Sequence, residues 1–277
     1  MPALSRTRRS PATGAAVWLW PGRALYAGPS LRLGAHSGAV ACLAVGVDAP
    51  FTVQAAVGGE LRARTALVAP RVRHRLAASG ERMVFLYLDP GSADDRTCRT
   101  CFRTGEGKIV SGHRQEEDLL AQAAQLYPHA PLPQVTAWIS QATGRVGTSH
   151  ADPRIMAATR RLANADRPLP AALLAAELGL SESRFLRLYR DGTGTSYRRL
   201  RLWAQMHRAA RALAAGHNLT RAAAEGSFAS PSHLSTAFHA MFGLTPSALF
   251  SQGLTIHCLD PSLEAVTSGS PATRTRR

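Results

Sequence analysis

Apolar residues keep two rhythms along this 277-residue chain, and the change between them divides it. In residues 15–90 short runs rich in Val, Leu and Ala are broken by Gly and Pro. Residues 39–47, 51–56, 62–68 and 83–88 read as strands. Pro21-Gly22, Gly34, the stretch from Asp48 to Pro50, Gly58-Gly59, Ala69-Pro70 and Pro90-Gly91 read as turns. Many short strands with close turns predict a small sandwich or barrel. Residues 91–112 are polar and predict irregular structure. In residues 116–126, Leu119, Leu120, Ala123 and Leu126 share one helical face. That stripe suits a dimer helix or packing on the barrel equally. Pro128, Pro131 and Pro133 end it, residues 135–142 form a second helical segment, and residues 143–150 read as a Gly-rich linker.

From Asp152 the period becomes helical. Asp152 and Pro153 make an N-cap and first-turn pair, and Ile155, Ala158, Leu162 and Ala163 share a face. Residues 196–215 predict a long amphipathic helix carrying Leu200, Trp203, Met206, Ala210 and Leu213, ended by Gly216. On either side of it one pattern occurs twice. Ser181, Ser183, Phe185, Tyr189 and Gly194 recur, 49 positions later, as Ser230, Ser232, Leu234, Phe238 and Gly243. One residue is added in the second turn. Each copy reads as a short helix, a tight turn and a Ser-capped second helix, the layout of a helix-turn-helix whose second helix enters the major groove of DNA.

The predicted recognition helices are residues 182–191 and 231–242. In the first, Phe185, Leu188 and Tyr189 face inward, while Ser183, Arg184, Leu186, Arg187 and Arg190 face out. An outward Arg can bind guanine bidentately, and Arg187 is the leading candidate. Arg184 and Arg190 suit bases or phosphates. In the second, Leu234, Phe238 and Phe242 face inward. Ser232, His233, Ser235, Thr236 and His239 are exposed, with no Arg among them, which predicts a weaker reader.

Charge changes the picture next. Formal net charge is +15, carried by 33 basic residues of which Lys108 alone is Lys, a bias that also fits a GC-rich coding sequence. Such a balance favours a polyanionic partner. The segment 152–250 holds thirteen Arg against six acidic residues. Arg198, Arg199 and Arg201 cluster where the long helix begins, with Arg208, Arg211 and Arg221 beyond, a supply of phosphate contacts that position a protein without reading sequence. No apolar run approaches the ~18 residues of a membrane span. The apolar stretch 15–19 is too short for a signal peptide and is interrupted by Pro21 and Arg23. The cytoplasm is the expected compartment. Cys98 and Cys101 form a C-x-x-C without the second pair of a zinc ribbon, and flanks that read as loop argue against a thioredoxin-like site. Free thiols are expected, with redox sensing or metal binding as alternatives.

These residues resemble the AraC/XylS family of bacterial transcription regulators. The match runs over residues 152–251. It is carried by Ala176, Gly179, Ser181, Phe185, Arg187, Gly194 and Ser196 in the first unit, and by Phe228, Ser230, Ser232, Leu234, Phe238, Phe242, Gly243, Thr245 and Pro246 in the second. Two positions depart from the pattern. Ser227, after Gly226, stands where the turn Gly is usual, so the turn is open to a shift by one residue. Thr236 replaces the usual Arg. The resemblance implies two helix-turn-helix subdomains joined by a long helix and a cupin-like N-terminal barrel that binds an effector or dimerises. His36 and His74 are candidate cupin-type metal ligands. Without an H-x-H spacing, ordinary hydrogen bonds on the barrel wall are the expectation, and any ligand pocket is expected inside the barrel.

The chain is therefore read as multidomain. A basic tail covers 1–14, a mainly-β cupin-like barrel 15–112, a helical linker 113–150, an all-α double helix-turn-helix domain 151–251, and a tail 252–277. The expected function is sequence-specific regulation of transcription on double-stranded DNA, through Ser183, Arg184, Arg187, Arg190, Ser232, His233 and Thr236. RNA polymerase, a small-molecule effector and a second copy of the chain are the further candidate partners. No catalytic residue, cofactor or metal is assigned. The rival readings are a cupin-type metalloenzyme fused to a DNA-binding module and an architectural binder with little sequence preference.

Overall fold

The structure is a computed structural model that describes residues 14–56, 59–104, 107–126, 130–144 and 152–259. The N-terminal half supplies β1 (Ala15–Trp20), β2 (Arg23–Pro29), β3 (Leu33–His36), β4 (Ala41–Gly46), β5 (Phe51–Ala55), β6 (Glu60–Ala63), β7 (Thr65–Val68), β8 (His74–Ala78) and β9 (Arg82–Leu88). There follow α1 (Ala93–Thr100), β10 (Phe102–Thr104), β11 (Ile109–His113), α2 (Glu116–Ala123) and α3 (Leu132–Thr143). The C-terminal half is α4 (Pro153–Ala163), α5 (Ala171–Glu177), α6 (Glu182–Thr193), α7 (Tyr197–Ala214), α8 (Leu219–Glu225), α9 (Pro231–Phe242), α10 (Pro246–Phe250) and a final strand, β12 (Leu254–Cys258).

The strands form an eight-stranded sheet, ordered β10-β11-β7-β4-β9-β2-β1-β12, and a four-stranded sheet, ordered β3-β8-β5-β6. The large sheet is buried on both faces. Ala16, Trp18, Leu25, Leu43, Leu86 and Leu88 point to one side, into a core shared with α1, α2 and α3. Their alternating neighbours Tyr26, Ala44, Ala66, Met83 and Phe85 point to the other, where Phe51, Val53 and Leu76 of the small sheet meet them. Helices α2 and α3, read from sequence as a linker, thus belong to this core. Leu119, Ala123 and Leu126 are buried in it, and Trp138 donates its indole N–H to Leu119 O over 3.1 Å. The stripe on α2 is packing surface within this chain. Of the Gly-rich linker, residues 145–150 lie outside the described residues.

Four local expectations are corrected. The single strand expected over 62–68 is two strands in different sheets. The chain turns the corner at Arg64, whose guanidinium donates to Gly46 O (2.8 Å) and Val47 O (2.6 Å). Gly34 lies within β3 rather than in a turn. The polar stretch 91–112 contains α1, β10 and β11. Ser92 caps α1 by accepting from Asp95 N, and Asp94 and Asp95 sit in the first turn, where carboxylates favour a helix. Residues 254–258, read as tail, form β12 and pair in parallel with β1 from Ala15↔Leu254 to Leu19↔Cys258. The predicted tails 1–13 and 260–277 lie outside the described residues.

The cysteine pair occupies the end of α1. Cys98 is buried and Cys101 is the C-cap residue. Burial raises both thiol pKa values. A helix C-terminus also disfavours a thiolate, the reverse of the N-terminal placement that activates redox cysteines.

Candidate nucleic-acid interface

The two helix-turn-helix units are built from the same bonds. Helix α5 ends at Gly179 (φ +65°), with Leu180 N donating to Ala175 O (2.9 Å) and Gly179 N to Ala176 O (3.1 Å). Helix α8 ends the same way: Phe228 N donates to Ala223 O (2.8 Å) and Ser227 N to Ala224 O (2.9 Å). Both are Schellman turns, whose left-handed residue is normally Gly. Ser227 takes that conformation itself, at φ +61°, while Gly226 stays right-handed at −69°. The turn is not shifted, and Ser227 bears the strain.

The recognition helices match as closely. Ser181 accepts from Arg184 N (3.4 Å) and Ser230 from His233 N (3.1 Å). Pro231 fills the first helical position of α9, where a missing N–H costs nothing. Gly194 (φ +68°) and Gly243 (φ +79°) close the two helices, each donating to the carbonyl four residues back. Ser196 then caps α7 and Thr245 caps α10. Each such cap contributes about 1 kcal/mol, so the repeated Ser and Thr fix where the helices start.

Beneath α6, the rings of Phe185, Tyr189 and Tyr197 meet pairwise at 5.4–5.5 Å. The Tyr189 hydroxyl bonds Thr159 (2.9 Å) and that of Tyr197 bonds Leu169 O (2.9 Å). With that side buried, Ser183, Arg184, Arg187 and Arg190 are exposed on the other. Ser183, Arg187 and Arg190 lie at i, i+4 and i+7 on one face, and Arg190 has Asp191 beside it at 3.5 Å. On α9, Ser232, His233 and Thr236 are exposed. His233 is tied locally: its Nδ1 accepts from Ala229 N (3.3 Å) and its ring packs on Phe228.

The arginines divide into two sets. Arg198 and Arg211 are exposed. Arg199, one of the cluster expected to supply some phosphate contacts, reaches the β-domain, where its guanidinium donates to Ser37 O (3.1 Å), Ser37 Oγ (2.9 Å) and Gly38 O (3.1 Å). Arg208 donates to Ala165 O, and Arg221 pairs with Glu225 at 2.7 Å.

Other contacts join the same two halves. Trp203 donates to Gly22 O (3.0 Å), Ser37 N to Ala240 O (3.2 Å) and Gly34 N to Gly243 O (2.8 Å). Tyr87 of β9 packs against both Trp203 and Phe242. Between them lies an apolar cleft of about 120 Å³. Tyr26, Phe85 and Tyr87 of the large sheet form one wall, and Trp203, Phe238 and Phe242 of α7 and α9 form the other. The cleft therefore lies between the β-domain and the back of a recognition helix, not within the β-domain alone. Sequence could not mark it, because its walls come from segments far apart in the chain.

Two ionisable groups, His207 buried and Asp89 half-buried, lie nearby. Asp89 and His207 line one small cavity with Thr159 and Trp203. Burial, assisted by Asp95, raises the Asp89 pKa to about 7, against the opposing pull of Arg23. Burial lowers that of His207 to about 4. The histidines considered as metal ligands, His36 and His74, have rings 4.3 Å apart and donate from Nδ1 to Gly34 O (2.8 Å) and Val72 O (3.0 Å). Burial lowers both pKa values, that of His36 to about 4, which keeps them neutral. Among the described residues, no group of three or more His, Cys, Asp or Glu is arranged to hold a metal ion.

Comparison with known proteins agrees with this geometry. Residues 174–252 match the family of the helix-turn-helix domain. No curated protein matches the chain. Apo ToxT from Vibrio cholerae strain SCE256, in a variant form, is 12% identical, with 83% of this chain and 97% of that one aligned at a TM-score of 0.54. Unsaturated fatty acid-bound wild-type ToxT from the same strain is 11% identical, with 82% and 94% aligned at a TM-score of 0.51. At such identities the likeness is one of fold. The C-terminal region of this chain is a helix-turn-helix domain of the AraC type, a DNA-binding module of transcription regulators, joined to a β-rich domain in the two-domain architecture of ToxT.

Proposed function

We propose that this chain is a sequence-specific transcription regulator whose DNA-binding domain is controlled by an apolar ligand in the cleft against the β-domain. The observation that carries the DNA reading is the exposed face of Ser183, Arg187 and Arg190 on a capped recognition helix. Arg187 reads a guanine, Arg184 and Arg190 hold bases or phosphates, and α9 contributes weaker contacts through Ser232, His233 and Thr236. Duplex DNA is the partner. RNA polymerase and a second copy of the chain are further candidates, and the cytoplasm is the site of action. No enzymatic role is assigned.

The cleft supports the ligand half of the reading. Phe238 and Phe242 form its wall and also hold α9. A ligand that separates them from Tyr87 moves a recognition helix directly. ToxT has been seen with an unsaturated fatty acid bound, which supports an apolar effector here as well.

Selection of bound duplexes from a random pool, with wild type and Arg187→Ala side by side, tests the DNA reading. The expected result is a compact motif in which the variant loses preference at one position, by about 1–3 kcal/mol. Equal weakening on all sequences would instead make the protein an architectural binder. For the ligand, a long-chain fatty acid is expected to raise the melting temperature and change DNA affinity, and Phe242→Ala to uncouple the two.

A further inference from the structure

We infer that Leu186 is a base-reading residue that packs on the C5-methyl group of a thymine in the major groove. This inference rests on the proposed DNA reading and adds a base to it. Among the described residues three large apolar side chains are exposed: Leu173, Leu186 and Phe250. Phe250 lines the apolar cleft, which accounts for it. Leu186 is 38% exposed and lies on the recognition helix itself. It stands three residues after Ser183 and four before Arg190, the spacings that place helical side chains side by side. Arg187 is its immediate neighbour. The buried side of α6 is already filled by Phe185 and Tyr189, so Leu186 adds nothing to that core.

The chemistry of the groove supplies its partner. Of the four bases only thymine offers an apolar group there, the C5-methyl, and apolar side chains recognise it. A Leu flanked by Ser183 and Arg190 on the exposed side of α6 therefore reads a thymine near the guanine that Arg187 holds. Against DNA it buries a methyl and its own branched end.

The test uses the full chain and the duplex it selects. Each thymine is replaced in turn by deoxyuridine, which keeps every hydrogen bond and removes only the methyl. Wild type is expected to bind about fourfold more weakly at one thymine beside the guanine read by Arg187, the equivalent of about 0.8 kcal/mol for a buried methyl-sized group. Leu186→Ala is expected to bind the two duplexes equally, and its exposed position leaves the fold intact. A wild type indifferent to deoxyuridine at every position overturns the assignment, as does a Leu186→Ala variant with the same deoxyuridine penalty. Either result leaves sequence selection by Arg187 standing. A wild type that selects no motif overturns the parent reading and this one together.

Discussion

Gly34 donates its backbone N–H to the carbonyl oxygen of Gly243 across 2.8 Å, joining an edge strand of the β-domain to the cap of the second recognition helix. The contact depends on the missing side chain of Gly243. A Cβ on Gly243 would lie 2.7 Å from Gly34 O and 2.7 Å from His36 Nδ1. The first recognition helix ends on the same left-handed cap at Gly194, where a Cβ would meet nothing within 4 Å.

That difference gives a paired prediction. Gly243→Ala combines a left-handed backbone with a steric clash and is expected to cost about 2–3 kcal/mol in chemical denaturation. Gly194→Ala carries the backbone strain alone and is expected to cost about 1 kcal/mol. Equal losses would show that the contact between the domains contributes nothing.

Neighbouring arginines are expected to behave differently. Arg199 is held by Ser37 and Gly38, so Arg199→Ala should destabilise the protein by about 1–3 kcal/mol and leave the salt dependence of DNA binding unchanged. Arg198 is exposed at the start of α7. Arg198→Ala should leave stability within about 0.5 kcal/mol and lower the salt slope by about one. Denaturation curves and DNA titrations at several salt concentrations separate the two, and an exchange of these phenotypes would refute the assignment.

Ser227 supplies a stabilising substitution. Its φ of +61° costs a side chain about 1 kcal/mol that Gly does not bear. Ser227→Gly is expected to gain about 0.5–1 kcal/mol and raise the melting temperature by about 1–4 °C. A lower melting temperature would mean that the hydroxyl stabilises the turn by more than the strain costs.

Stability should also fall as pH rises because of Asp89. Its folded pKa of about 7 lies above that of an unfolded carboxyl. Its contribution is complete below the unfolded value and is lost as pH climbs through about 7. Asp95, also raised by burial, acts in the same direction. His207 acts in the opposite one, losing its contribution as pH falls from 6.5 toward 4. Asp89→Asn is expected to flatten the decline between about pH 4 and 7. An unchanged slope in denaturation midpoints across that range would remove Asp89 from the account.

The helix-turn-helix units were legible because caps and knobs are local: Ser181, Ser230, Gly194 and Gly243 act within a turn of where they stand. The strands were legible only in part. Runs such as that of β1 bury both faces, so no alternation distinguishes them from other apolar segments. Strand β12 was missed because its partner is at the other end of the chain. Arg199 is indistinguishable in sequence from Arg198, and only the packing of α7 on the β-domain separates their roles. Leu186 could be seen to face outward, but the degree of its exposure is a property of the folded surface.

The pairing of β1 with β12 bears on how the protein is made. Ala15 leaves the ribosome roughly 240 residues before Leu254, its partner in the sheet, which at about 5–20 residues per second is a wait of roughly 10–50 s. Through that interval the sheet has an open edge carrying unpaired amides and the apolar side chains of β1. The nascent chain is therefore most exposed to mispairing and to chaperones before its final strand arrives, and the helix-turn-helix units are complete before the sheet is.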